Sequence, residues 1–185
     1  MKKRYYIAYG SNLNIRQMRM RCPSARIIGT SEIPDYELLF KGSKTGSYLT
    51  IESKEGSRIP VAAWEVSAED ELALDRYEGF PTFYYKKELM LPIKGIRSGK
   101  IRQRNTFVYI MHEDRPFGVP SNFYMQTCLS GYKVSGLILN FCMRLMTGAG
   151  RWKDDRFKKM GKAKLAQRQG ALQFKGRIKV FDKKE

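Results

Sequence analysis

Glu78 lies in the stretch LDRYEGFPTFYY, residues 74–85, with Tyr77 before it and Gly79, Phe80 and Pro81 after it. A carboxylate walled by aromatic rings loses hydration. That loss lifts its pKa towards the range in which a general base works at neutral pH. The plainer reading is an acid at a solvated helix end. Asp75 competes for the role, but helical geometry turns it to a different face. A second stretch, YGSNLN, sets Gly10, Ser11, Asn12 and Leu13 directly after an apolar run. Glycine there lets a ligand approach the main chain closely. Amides released from a strand can converge on an anion, and Ser11 and Asn12 add side-chain donors and acceptors. Such a loop suits a carboxylate or a developing oxyanion, although read alone it is an ordinary turn. It is not a phosphate loop, because neither GxxxxGK[ST] nor GxGxxG occurs in it.

Other chemistries are poorly supplied. His112 is the single histidine, in MHEDRP, and reads as the polar end of a strand. Multi-histidine metal sites are excluded, and a Ser-His-Asp arrangement would need His112 itself. Cys22, Cys128 and Cys142 are odd in number with no CxxC pair, so free thiols are expected rather than a disulfide framework or a zinc site. Arg16, Arg19 and Arg21 fall on one helical segment and read as a solvated face. Glu88, in YYKKELM, reads as an exposed strand position. No metal and no cofactor is expected.

These residues need elements to hold them. RYYIAY, residues 4–9, is rich in aromatic and β-favouring residues and predicts a first strand ending at Gly10. Ile15, Met18 and Cys22 then share one helical stripe, closed by Pro23. ARIIGTSEI, YELLFKG, SYLTIES and RIPVAAWEV predict four short strands. Ser67 and Asp70 form a capping-box pattern before a helix with Leu72, Leu74 and Tyr77 as apolar contacts, ended by Gly79. Residues 82–93 and 104–113 predict a hairpin, and Ser121 caps a last helix carrying Tyr124, Cys128 and Leu129. The sum is an α+β fold of six or seven strands with two or three flanking helices. Many short strands and few crossovers favour a small mixed β-barrel or strongly bent sheet.

The segments YGSNLN, LDRYEGFPTFYY, PSNFY and GYKVSGL, in this order, resemble the γ-glutamylcyclotransferase-like family over about residues 4–137. MRMRCPSARIIGT and VAAWEVSAEDELALDRYEG resemble its bacterial branch. The resemblance implies a compact mixed barrel and a cyclising acyltransferase or lyase that cleaves a γ-glutamyl amide to 5-oxoproline and a free amine, without metal or nucleotide. By motif, Glu78 matches the catalytic glutamate. Tyr6, Tyr9, Gly10, Ser11, Asn12, Leu13, Tyr85 and Tyr124 match substrate-binding positions. The implied partner is a small γ-glutamyl molecule, bound by a monomer or homodimer. A non-catalytic member of the same fold that binds a small ligand is the rival reading. The residues themselves suit cyclisation, which asks for positioning, one base and a few amides.

The net charge of +17 is unevenly spread. Residues 1–136 hold 21 Lys+Arg against 14 Asp+Glu, and residues 137–185 hold 14 against 4. The expected division is a family domain at 1–137 and a basic extension at 138–185, where the resemblance stops. Three readings of the extension stand. It is a basic appendage that binds nucleic acid or anionic membrane by phosphate attraction, a solvated tail, or the product of a reading frame shifted near Leu137. Codons compatible with that stretch, read one base over, give a more amphipathic helix ending. Nucleic-acid binding is not expected of the domain itself. LILNFCMRLM is interrupted by Asn140 and Arg144, so no apolar run reaches the roughly 20 residues of a membrane span. The apolar run after MKKR is too short for a secretory signal, so a cytoplasmic protein is expected.

Overall fold

A computed structural model describes residues 3–43 and 46–134. Five strands close into a barrel in the order β1-β3-β2-β4-β5. They are β1 Arg4–Ala8, β2 Arg26–Ser43, β3 Gly46–Val66, β4 Tyr84–Gly95 and β5 Ile101–Met111. A parallel pair seals the barrel, with Tyr6 opposite Phe107 and Ile7 opposite Val108. The other pairings are antiparallel. Three helices flank it: α1 Ile15–Arg21, α2 Ala68–Glu78 and α3 Asn122–Val134. The α+β barrel expected from the sequence is therefore the fold observed.

The strand count differs from expectation. The four short strands foreseen between residues 25 and 66 are two long ones, β2 and β3, paired from Arg26↔Glu65 to Ser43↔Gly46. The register shifts between Ile27 and Gly29 and between Pro34 and Tyr36 without the ladder ending. At the second irregularity Asp35 adopts a positive φ of 58°, and its carboxylate accepts the Gly56 N–H at 2.9 Å. Polar and turn-prone residues thus mark bulges that bend a continuous strand.

Burial follows the barrel. Ile7, Ala8, Ile51, Val61, Trp64 and Phe107 are almost wholly buried. Residues Thr106 to Met111 of β5 are buried on both faces, unlike the exposed start of that strand. In α1, Met18 and Cys22 are buried as the stripe required, while Arg16 and Arg19 are exposed. In α2 only Leu74 of the three expected apolar contacts is buried; Leu72 and Tyr77 are exposed. That helix is set instead by its ends. Ser67 and Asp70 form the reciprocal capping box, and Gly79 closes the helix in the left-handed region at φ 65°.

α3 holds the loop after β1 in place. Tyr132 donates its hydroxyl to the Tyr9 carbonyl at 2.9 Å. A Cβ on Gly131 would lie 2.6 Å from the Leu13 Cβ and 2.7 Å from the Asn14 nitrogen, so only glycine allows the helix to come this close. No helix among the described residues is long and apolar enough to cross a membrane. The foreseen boundary at residue 137 and the basic extension 138–185 lie outside the described residues.

Candidate active site

The first loop is built where β1 ends. Ser11–Leu13 form one 3₁₀ turn, in which Leu13 donates its N–H to the Gly10 carbonyl at 3.0 Å. The opening amides of any such turn have no internal acceptor. Asn14 then caps α1 by accepting the Gln17 N–H. Ser11 and Asn12 are buried, although both are polar. A Cβ on Gly10 would stand 3.2 Å from the Tyr124 hydroxyl, which marks a close approach of the loop to α3.

Glu78 is the last residue of α2, so the left-handed turn at Gly79 directs the chain away just after it. Its carboxylate enters the same space as the loop. Asn12 Nδ2 donates to Glu78 Oε1 at 2.8 Å and to the Tyr6 hydroxyl at 2.9 Å. Together they bound a narrow cleft of about 30 Å³, to which Tyr6, Tyr9, Gly10, Ser11, Asn12 and Glu78 all contribute. Leu49, Tyr84, Tyr109 and Tyr124 complete its wall. An outer part of about 290 Å³ is also lined by Ser11 and Glu78 and runs past Tyr48, Arg76, Tyr77 and Phe83.

Burial raises the Glu78 pKa to about 7, against the opposing pull of the Arg21 charge and the Asn12 hydrogen bond. Its position on the last turn acts in the same direction as burial, because the carbonyl end of a helix disfavours an anion. Burial also holds the phenols of Tyr6, Tyr9, Tyr84 and Tyr124 far above their usual range. They are therefore neutral at physiological pH. Most have fixed partners. Tyr9 donates to the Tyr109 carbonyl at 2.7 Å, Tyr84 donates to the Leu49 carbonyl at 2.9 Å, and Tyr124 accepts the Leu49 N–H at 3.0 Å.

Two residues foreseen at the site are elsewhere. Tyr85 projects from the opposite face of β4 to Tyr84 and donates to Glu113 Oε1 at 2.7 Å, beside the His112 ring. Strand alternation delivers its neighbour Tyr84 to the cleft instead. Leu13 is wholly buried beneath the loop, against Gly131 of α3. Arg21, read as solvated, reaches inward and donates to Asn12 Oδ1. Sequence reasoning also missed Leu49 and Tyr109, which lie in strands with no local signal of a site.

The described residues thus form a small closed barrel beside a tyrosine-lined cleft, with one carboxylate whose pKa burial pushes up to about 7. The family model described as gamma-glutamyl cyclotransferase, AIG2-like, matches residues 6–126. The chain belongs to that family. It is 28% identical to the gamma-glutamylcyclotransferase of Homo sapiens and 28% identical to that of Bos taurus, with 76% of this chain and 76% of each relative covered. Among solved structures, a gamma-glutamyl cyclotransferase aligns with a TM-score of 0.70 at 22% identity, over 88% of this chain and 99% of that one. YkqA from Bacillus subtilis aligns at 0.62 and 16% identity, over 78% of this chain and 53% of that one. At these identities the structural likeness speaks for the fold.

Proposed function

We propose that the protein cyclises a γ-glutamyl amide: the glutamyl α-amine attacks its own γ-carbonyl, forming 5-oxoproline and releasing the amine. Glu78 accepts one proton from the α-ammonium, which frees the nitrogen lone pair. The new ring C–N bond forms, and the carbonyl oxygen takes up negative charge beside the Gly10–Asn12 loop. The acid form of Glu78 then gives its proton to the departing nitrogen as the amide C–N bond breaks. The second proton lost by the ring nitrogen leaves with the amine, and the carboxylate is regenerated. Both reacting groups belong to one molecule, so the walls need only fold it into near-attack geometry.

The observation that carries this reading is the Glu78 carboxylate itself. It is held by one oxygen on Asn12, faces the cleft, and titrates at about 7, where it can both take and return a proton. Family membership at residues 6–126 supplies the chemistry to which such a group is suited. The test is 5-oxoproline release from a panel of γ-glutamyl amides and γ-glutamyl amino acids, measured against pH. The expected kcat/KM profile has an acid limb near the Glu78 pKa of about 7. A folded protein that releases 5-oxoproline from none of the panel would overturn the reading.

A further inference from the structure

The hydrogen bonds of Asn12 can be counted completely. An amide has two N–H donors and one carbonyl oxygen. Nδ2 serves Glu78 Oε1 at 2.8 Å and the Tyr6 hydroxyl at 2.9 Å, while Oδ1 accepts from Arg21 Nη1. Were the amide turned over, its oxygen would face the Glu78 carboxylate, acceptor against acceptor. A guanidinium has no acceptor, so the amide edge it meets must be the oxygen. Arg21 is itself held firmly: Nη2 donates to Gln17 Oε1 at 2.8 Å, and the guanidinium lies 3.5 Å from the Tyr77 ring centroid. It lines neither part of the cleft.

From this chain of contacts we infer that Arg21 is a positioning residue, which fixes the Asn12 amide and thereby aims the Glu78 carboxylate and frees the Tyr6 proton for the cleft. Its consequence for rate rests on the cyclisation reading; its consequence for geometry does not. Asn12 occupies the acceptor side of the Tyr6 oxygen, so the phenolic proton is left for a substrate oxygen or nitrogen. The groups facing Glu78 are the phenols of Tyr6, Tyr9, Tyr84, Tyr109 and Tyr124 and the Arg21 cation. The phenols stay neutral throughout the working range. Arg21 is thus the charge to which Glu78 responds, and it favours the carboxylate form.

The experiment compares the native chain with Arg21→Met and Arg21→Lys. Loss of the cation lets the Glu78 pKa rise, so in Arg21→Met the acid limb of the kcat/KM profile moves to higher pH. Loss of the amide clamp lowers kcat roughly tenfold while KM changes less than about threefold. Lysine keeps the charge but lacks the fork that spans Asn12 and Gln17. Arg21→Lys should therefore restore the acid limb and leave kcat low. A second arm needs no turnover: the carboxyl ¹³C titration of Glu78 and the side-chain ¹⁵N–¹H signals of Asn12. In Arg21→Met the Glu78 midpoint rises and the Asn12 signals lose their protection from exchange. If the native protein makes no 5-oxoproline, the cyclisation reading falls, and this second arm still decides the role of Arg21. A folded Arg21→Met with native titration and native Asn12 protection overturns the proposal. Should Arg21→Met fail to fold, native Asn12 protection in Arg21→Lys overturns it equally.

Discussion

The two ends of α2 each hold a carboxylate, Asp70 buried and Glu78 half-buried, in opposite surroundings. Asp70, on the first turn, accepts the Ser67 N–H at 3.2 Å and the Ser24 hydroxyl. The Ser67 side chain in turn accepts the Asp70 N–H at 3.1 Å. The amide end of the helix favours negative charge there. Glu78, on the last turn, meets the carbonyl end, and Asn12 is its single hydrogen-bond donor among the described residues. The two differ in the number of local donors and in which end of the helix they meet.

The largest expected effect comes from removing the Glu78 carboxylate, the proposed base. Glu78→Gln should lower 5-oxoproline release about 10³-fold, the middle of the range for a general base. The same substitution should stabilise the fold at alkaline pH. A carboxyl that titrates at about 7 when folded, against 4.5 ordinarily, binds more protons in the folded state between those values. Its contribution is therefore fully present below about pH 4.5 and is lost as pH rises through 7. The loss is at most about 3 kcal/mol. Urea unfolding from about pH 5 to about pH 8 should show that slope in the native chain and its absence in Glu78→Gln. Parallel curves for the two proteins would place the Glu78 pKa at its ordinary value and dissolve the contrast between the helix ends.

At the other end of α2, Asp70→Ala should cost about 1–2 kcal/mol, because it strips the capping box and orphans the Ser24 hydroxyl. kcat/KM and its acid limb should stay within about threefold of native, since Asp70 is absent from the cleft wall. A shift of the acid limb in Asp70→Ala would show that the two ends are electrostatically coupled through the helix. That outcome would replace the comparison with a single titrating unit.

Much of this contrast was legible in the residues. The capping box at Ser67 and Asp70, the glycine stop after Glu78 and the glycine break after Tyr9 are short-range signals, decided within four residues. Barrel architecture followed from many strands and few helices. The number of strands did not, because Pro34, Asp35 and the Ser-Lys-Glu-Gly run read as breaks, whereas the ladder carries on past them through a bulge. Nor did the inward turn of Arg21, since the partner that draws it in, Asn12, is nine residues away on the far side of a helix start. Long-range neighbours such as Leu49 and Tyr109 owe their place to barrel closure. No local pattern encodes that.

The smallest expected effect concerns the adjacent pair Tyr84 and Tyr85, where alternation along one strand sends one phenol inward and the other out. Tyr84→Phe would leave the buried Leu49 carbonyl without its hydroxyl donor and should cost about 1–2 kcal/mol. Tyr85→Phe removes only the bond to Glu113 at the surface, so stability should change by less than about 0.5 kcal/mol. Release of 5-oxoproline should stay within about twofold of native, because Tyr85 lies outside the cleft and its partner Glu113 does not line it either. The family resemblance assigned Tyr85 to the substrate. A loss of more than about tenfold in Tyr85→Phe would mean that β4 turns its other face to the ligand during turnover, and that the walls of the unliganded cleft are not those that hold the substrate.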